Sequence, residues 1–87
     1  MTLEDTRLRR RLQKEISKRY IDGTKIVVEV THGVCEIKGE IRPLKGMHVG
    51  LEEELELIEL LLKRVPGVRS IKMDVRIPIA LRARRKF

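Results

Sequence analysis

Residues 25–42 read KIVVEVTHGVCEIKGEIR, and they alternate twice. In the first run Ile26, Val28 and Val30 share one side, and Lys25, Val27, Glu29 and Thr31 share the other. In the second, Cys35, Ile37, Gly39 and Ile41 oppose Val34, Glu36, Lys38, Glu40 and Arg42. A period of two is the signature of a half-buried strand. The two runs meet at His32-Gly33, a short turn of the kind that closes a β-hairpin. One face is aliphatic and the other is largely charged, as in an antiparallel sheet with one wet side.

The flanking segments read as helices. From about Thr6 to Tyr20, Leu8, Leu12, Ile16 and Tyr20 recur every four residues, with Asp5 or Thr6 as the cap and Asp22-Gly23 as the stop. From Leu51 to Val65, Leu51, Leu55, Ile58, Leu62 and Val65 form a second buried stripe, ended by Pro66-Gly67. Pro43 to Gly50 is a loop. Val68 to Ile79 is a third strand, with Ile71, Met73, Val75, Ile77 and Ile79 in phase. The order is α-β-β-α-β, an α+β fold. The second helix is a crossover, so it makes the last two strands parallel and the three-stranded sheet mixed. Both helices are expected on the one apolar face. Of the glycines, Gly33 is expected at positive φ, Gly39 where a helix or bulge approaches closely, and Gly67 at a helix end.

Eighty-seven residues make one domain, 1–87, with its core about 6–79 and a basic tail at 80–87. Hydrophobic residues are 41% and charged residues 38%, the latter well above the roughly 25% of ordinary domains. High charge with one Gln and no Asn fits a thermophilic source and an ordinary highly soluble protein equally well. The net charge of +7 favours anionic partners: phospholipid headgroups, nucleic acid or an acidic protein. One cysteine, no leader-like apolar stretch and no membrane-length run lead to an expected cytoplasmic location, with the inner face of a membrane as a peripheral site.

Charge is unevenly spread. Residues 1–20 hold seven Lys/Arg against three acids, a net +4. Residues 79–87 hold four Lys/Arg and no acid, another +4. Residues 50–62 hold five Glu and no base. The candidate anionic-surface residues are therefore Arg7, Arg10, Arg11, Lys14 and Lys18 of the first helix, with Arg82, Arg84, Arg85 and Lys86 of the tail. The competing reading pairs the first helix with the acidic second helix through salt bridges. On that second helix Leu57 falls about 120° from the buried stripe and Leu60 about 180°. Val49 joins their strip if the helix starts early. These three are the candidate protein contact, including self-association into a homo-oligomer.

Chemistry is poorly supplied. His32 and Cys35 are the only close His/Cys pair, His48 is alone, and no zinc spacing occurs. There is no Ser-His-Asp set and no phosphate-cradling Gly-rich loop. No enzyme activity, metal or cofactor is expected. One Tyr and one Phe leave little for stacking on bases, so sequence-specific nucleic-acid readout is not expected. The element order comes near that of KH domains, but their Gly-x-x-Gly loop is missing.

The hairpin Val30-Thr31-His32-Gly33-Val34-Cys35-Glu36-Ile37-Lys38-Gly39-Glu40-Ile41, followed by Val65-Pro66-Gly67-Val68-Arg69-Ser70-Ile71, resembles the BON domain, named for bacterial osmotic-stress and nodulation proteins. The similarity covers roughly Leu8 to Ile77. It departs at Arg42 to Gly50, which is longer and more apolar than the family's connection, and in the acidic, Leu-rich second helix. BON domains are commonly taken to attach proteins to phospholipid membranes or cell-envelope assemblies. The resemblance thus implies a non-catalytic binding module for anionic phospholipid. A protein-interaction module is the alternative, and a nonspecific RNA-binding accessory domain follows both.

Overall fold

The computed structural model describes residues 2–45 and 50–78. Helix α1 spans Leu3–Ser17 and α2 spans Leu51–Lys63. The strands are β1 (Ile21–Asp22), β2 (Ile26–Thr31), β3 (Val34–Glu40), β4 (Arg42–Pro43) and β5 (Ser70–Arg76). The main sheet has the order β2-β3-β5, with β2 antiparallel and β5 parallel to the central β3. It is mixed, as the crossover demanded. Helix α1 packs on β2, α2 packs on β5, and the helices touch each other over the same face.

Burial follows the alternation. Val28, Val30, Cys35, Ile37 and Ile41 point into the core and are at most 3% exposed, while Val27 and Val34 on the other face are half-exposed. Leu12, Ile16, Ile58 and Leu62 close the core from the helix side. Ile26, Ile71, Met73, Val75, Leu8 and Leu55, expected to be buried, are only partly so. For Ile71, Met73 and Val75 the reason is position: among the described residues β5 is an outer strand with a neighbour on one side only.

Several boundaries differ from those the sequence suggests. Helix α1 starts at Leu3, because the Thr2 hydroxyl accepts the Asp5 N–H (3.0 Å) and caps the helix earlier. It ends at Ser17, so Tyr20 falls beyond the helical stripe and is 55% exposed, with the Arg19 guanidinium over its ring. Ile21-Asp22, which runs into the expected Asp22-Gly23 stop, instead pairs with Arg42-Pro43 as a two-residue antiparallel ladder. Pro43 is tolerated there because the ladder is short and at an edge. Helix α2 stops at Lys63, and the Val68 N–H bonds the Val65 carbonyl (3.2 Å) across Pro66-Gly67. Gly67 therefore makes a turn rather than a helix cap. Strand β5 is shorter at both ends than the 68–79 run.

Two glycines carry the hairpin. His32 (φ 50) and Gly33 (φ 80) are both left-handed, the pattern of a type I′ turn. Gly39 (φ 118) lies where the backbone of Lys25 crosses, and the Glu40 N–H bonds the Lys25 carbonyl (3.2 Å). The close approach anticipated at Gly39 is thus made by the neighbouring strand's end, not by a helix.

Ile37 and Ile58 are 1% and 2% exposed. Ile37→Ala and Ile58→Ala are each expected to cost about 2–5 kcal/mol in chemical denaturation, since each leaves a cavity in a small core. Gly39→Ala should cost about 3 kcal/mol or more, because it adds left-handed strain to a Cβ driven into the Lys25 carbonyl. A loss under about 1 kcal/mol at all three would contradict the packing described.

Candidate anionic-surface site

Residues on an α-helix advance about 100° each, so Arg7, Arg11, Lys14 and Lys18 fall within about 60° of one another. They form one ridge along α1, with Arg10 about 40° beyond Lys14. All five are exposed. The structure thus brings together every helix residue of the expected set. Arg11 and Lys18 share Glu15 (3.7 and 3.4 Å), both contacts within α1. Arg7, Arg10 and Lys14 have no acidic partner among the described residues. Arg82, Arg84, Arg85 and Lys86 of the tail, and Val49, lie outside the described residues, as does His48.

Among the described residues, one ion pair links the acidic helix to the α1 segment. Arg19, just past the end of α1, donates Nε–H to Glu54 Oε1 (3.2 Å) and Nη2–H to Oε2 (2.7 Å). Glu54 is buried, and its hydrogen bonds hold the Arg19 guanidinium further above its ordinary range. Arg19 does not belong to the ridge. Glu59 is held by Lys63 within α2 (2.9 Å). The expected salt-bridged helix pair therefore exists at one contact among the described residues, and that contact lies off the ridge.

Two basic residues join the ridge from elsewhere. Arg69 opens onto a cleft of about 770 Å³ shared with Arg7, Leu8, Arg11, His32 and Pro66. Glu4 and Asp5 line the same cleft and lower its positive charge. Arg64 shares a smaller cleft with Arg11, Glu15 and Leu61. Arg64 and Arg69 are absent from the set taken from the sequence, where they read as isolated charges around a turn. The antiparallel packing of α2 on α1 brings Arg64 next to Arg11, and the Arg69 N–H, bonded to the Gly33 carbonyl (2.8 Å), sets Arg69 at the cleft with Arg7. Leu57, one turn after Glu54 on α2, is 36% exposed. Leu60 is 50% exposed.

The cleft is anchored by a buried carboxylate. Asp5 accepts the His32 N–H (3.1 Å) and so ties the first turn of α1 to the hairpin turn. That bond, with those from Thr2, holds the Asp5 carboxyl below its usual range despite the opposing effect of burial. Cys35 is fully buried, and burial pushes its thiol up. No group of three or more His, Cys, Asp or Glu among the described residues is placed to hold a metal ion. No helix among them is long and apolar enough to cross a membrane.

Asp5 links the site to pH. The unfolded carboxyl titrates near its ordinary value, about 3.9, and the folded one lower. Its stabilisation is complete above the unfolded value and is lost as pH falls through the folded one. Asp5→Asn keeps an acceptor for His32 and removes the charge. The stability gap between parent and Asp5→Asn should be constant near neutrality and shrink below about pH 4, measured by denaturation across the acid range. Asp22 and Glu36, whose carboxyls are also held low, are present in both proteins and cancel. A gap independent of pH would mean the Asp5 charge contributes nothing.

No protein-family model matches the chain, and no curated protein matches its sequence.

Proposed function

We propose that this chain is a non-catalytic binding module that docks its α1 ridge on an anionic surface, phospholipid headgroups above all. The observation that carries the reading is that Arg7, Arg10 and Lys14 of the ridge have no acidic partner among the described residues, while Arg11 and Lys18 share one. A helix with five Glu packs beside the ridge, yet among the described residues only Glu54 crosses to the α1 segment, and it takes Arg19. Cations left unpaired on one face keep their charge for a phosphate plane.

Arg64 and Arg69 widen that face, and Leu57 adds an apolar rim beside it. A basic strip next to partly exposed leucines suits the interface of a bilayer, where headgroups meet acyl chains. The resemblance to BON domains supports the same reading. A peripheral location at a membrane facing the cytosol follows from it.

The test is a contrast between vesicles. The parent should sediment with phosphatidylserine-containing vesicles and not with phosphatidylcholine alone. Each Lys or Arg near such a surface contributes on the order of 1 kcal/mol, so replacing Arg7, Arg10 and Arg11 with Glu should weaken binding by roughly 100-fold or more. Raising the salt should act in the same direction, because the attraction fades within a Debye length of about 8 Å. Binding that survives both changes would assign the contact to Leu57 and Leu60. A parent that ignores anionic vesicles at low salt but shifts RNA would replace the phospholipid reading with the nucleic-acid one.

A further inference from the structure

Strand β5 is the outer strand of the sheet, and its far side has no neighbour among the described residues. Seven residues long, it has no proline and no charged residue on its core-facing side. Edge strands usually carry such features to prevent pairing with another chain. Ile71, Met73 and Val75 face the core yet are only partly buried, unlike Cys35 and Ile37 beside them on β3. The sheet is built as if it continued past β5.

The direction of the open hydrogen-bonding groups follows from one contact. The Ile41 N–H bonds the Arg76 carbonyl (3.0 Å), so Arg76 aims at β3. Along a strand these groups alternate sides. Asp74 and Lys72 therefore also aim at β3, while Ile71, Met73 and Val75 turn their N–H and C=O groups to the open edge.

We infer that β5 pairs antiparallel with β5 of a second copy of this chain, centred on Met73. In that register Met73 faces the copy's Met73, and Ile71 faces the copy's Val75. These are the residues whose backbone groups point outward, so they form the hydrogen-bonded pairs. On the solvent face Lys72 falls opposite the copy's Asp74, and Asp74 opposite the copy's Lys72. They occupy the non-hydrogen-bonded positions, where side chains come closest. Opposite charges there favour pairing, and like charges oppose it. Centring on Lys72 or Asp74 instead sets like charges face to face. Centring on Ile71 or Val75 leaves most of the strand unpaired. Within the other outer strand, β2, the solvent side carries Val27, Glu29 and Thr31, and the nearest cation on that side, Lys25, lies just outside the strand.

The pairing makes one continuous six-stranded sheet with a twofold axis through Met73. It is independent of the α1 ridge and does not use Leu57 or Leu60.

Sedimentation equilibrium over a concentration series tests it. The parent should be a dimer at the high end. Lys72→Asp and Asp74→Lys, each alone, should raise the dimer dissociation constant by about tenfold or more, because each sets like charges opposite one another at two places. An equal mixture of the two variants should dimerise again, because each then meets its complement across the axis. This recovery also excludes misfolding as the cause of the loss. Leu57→Glu with Leu60→Glu should leave the dimer intact. The inference fails if the parent is a monomer at every concentration, if either single variant associates like the parent, or if the mixture stays monomeric. It fails too if the dimer is lost on replacing Leu57 and Leu60. A monomer whose Ile71, Met73 and Val75 amides resist hydrogen exchange would also overturn it, and would give the edge to another segment of the same chain.

Discussion

The His32-Gly33 turn is the point on which the rest of the structure depends. It closes the β2–β3 hairpin, and two distant segments are tied to it. The Asp5 carboxylate accepts the His32 N–H, which brings in the first turn of α1. The Gly33 carbonyl accepts the Arg69 N–H (2.8 Å), which brings in the start of β5. The hairpin can form from local contacts alone. The parallel pairing of β3 with β5 cannot, because it must wait for the whole α2 crossover to close. A turn held in left-handed geometry by neighbours on both sides fixes the register of that late pairing at its first residues, Val34 opposite Ser70. A Cβ on Gly33 would collide with the Arg69 side chain and the Gly67 carbonyl, so the same crowding that ties the elements together also demands glycine.

How much of this was legible depends on the range of the interactions. Alternation over 26–41 and the four-residue stripes of the helices are local signals, and they gave the element order, the inward faces and the mixed sheet. Asp5 reads in sequence as a cap residue. Its bond runs to His32, which no local pattern reveals, and the true cap is Thr2. Tyr20 continues the α1 stripe on paper, but the helix has already ended, so periodicity overruns a boundary set by backbone geometry. Ile71, Met73 and Val75 have the same alternation as the β2 and β3 residues. Their partial exposure comes from strand order, which a hydrophobic pattern does not encode.

The candidate site divides the same way. The spacing of Arg7, Arg11, Lys14 and Lys18 is a helical pattern and was visible at once. Arg64 belongs beside it because α2 runs antiparallel to α1, and Arg69 because its N–H is bonded to the hairpin turn at Gly33, and nothing near them in sequence says so. Among five glutamates, Glu54 alone lies on the α1 side of α2 close enough to Arg19 to pair. Its neighbours Glu52 and Glu53 look identical in the sequence, yet both stay exposed.

The antiparallel helix pair also explains how a chain with so many acids keeps a basic face. The glutamates crowd the first turns of α2, where the positive end of the helix dipole favours them. Lys63 and Arg64 close the same helix, where the dipole favours cations. Arg19 meets Glu54 at one end, and Arg11 meets Leu61 and Arg64 at the other. The acidic end of α2 therefore sits beside the last turn of α1, and its basic end beside the first half. Positive charge accumulates where Arg7, Arg11, Arg64 and Arg69 converge, and the partly buried pair at the far end keeps it there. Sliding α2 along α1 or reversing it would cost the Arg19–Glu54 contact and leave a buried carboxylate unpaired, which is far more expensive than any exposed ion pair is favourable. The surface electrostatics are thus a consequence of helix packing, set by one partly buried pair rather than by the net charge of the chain.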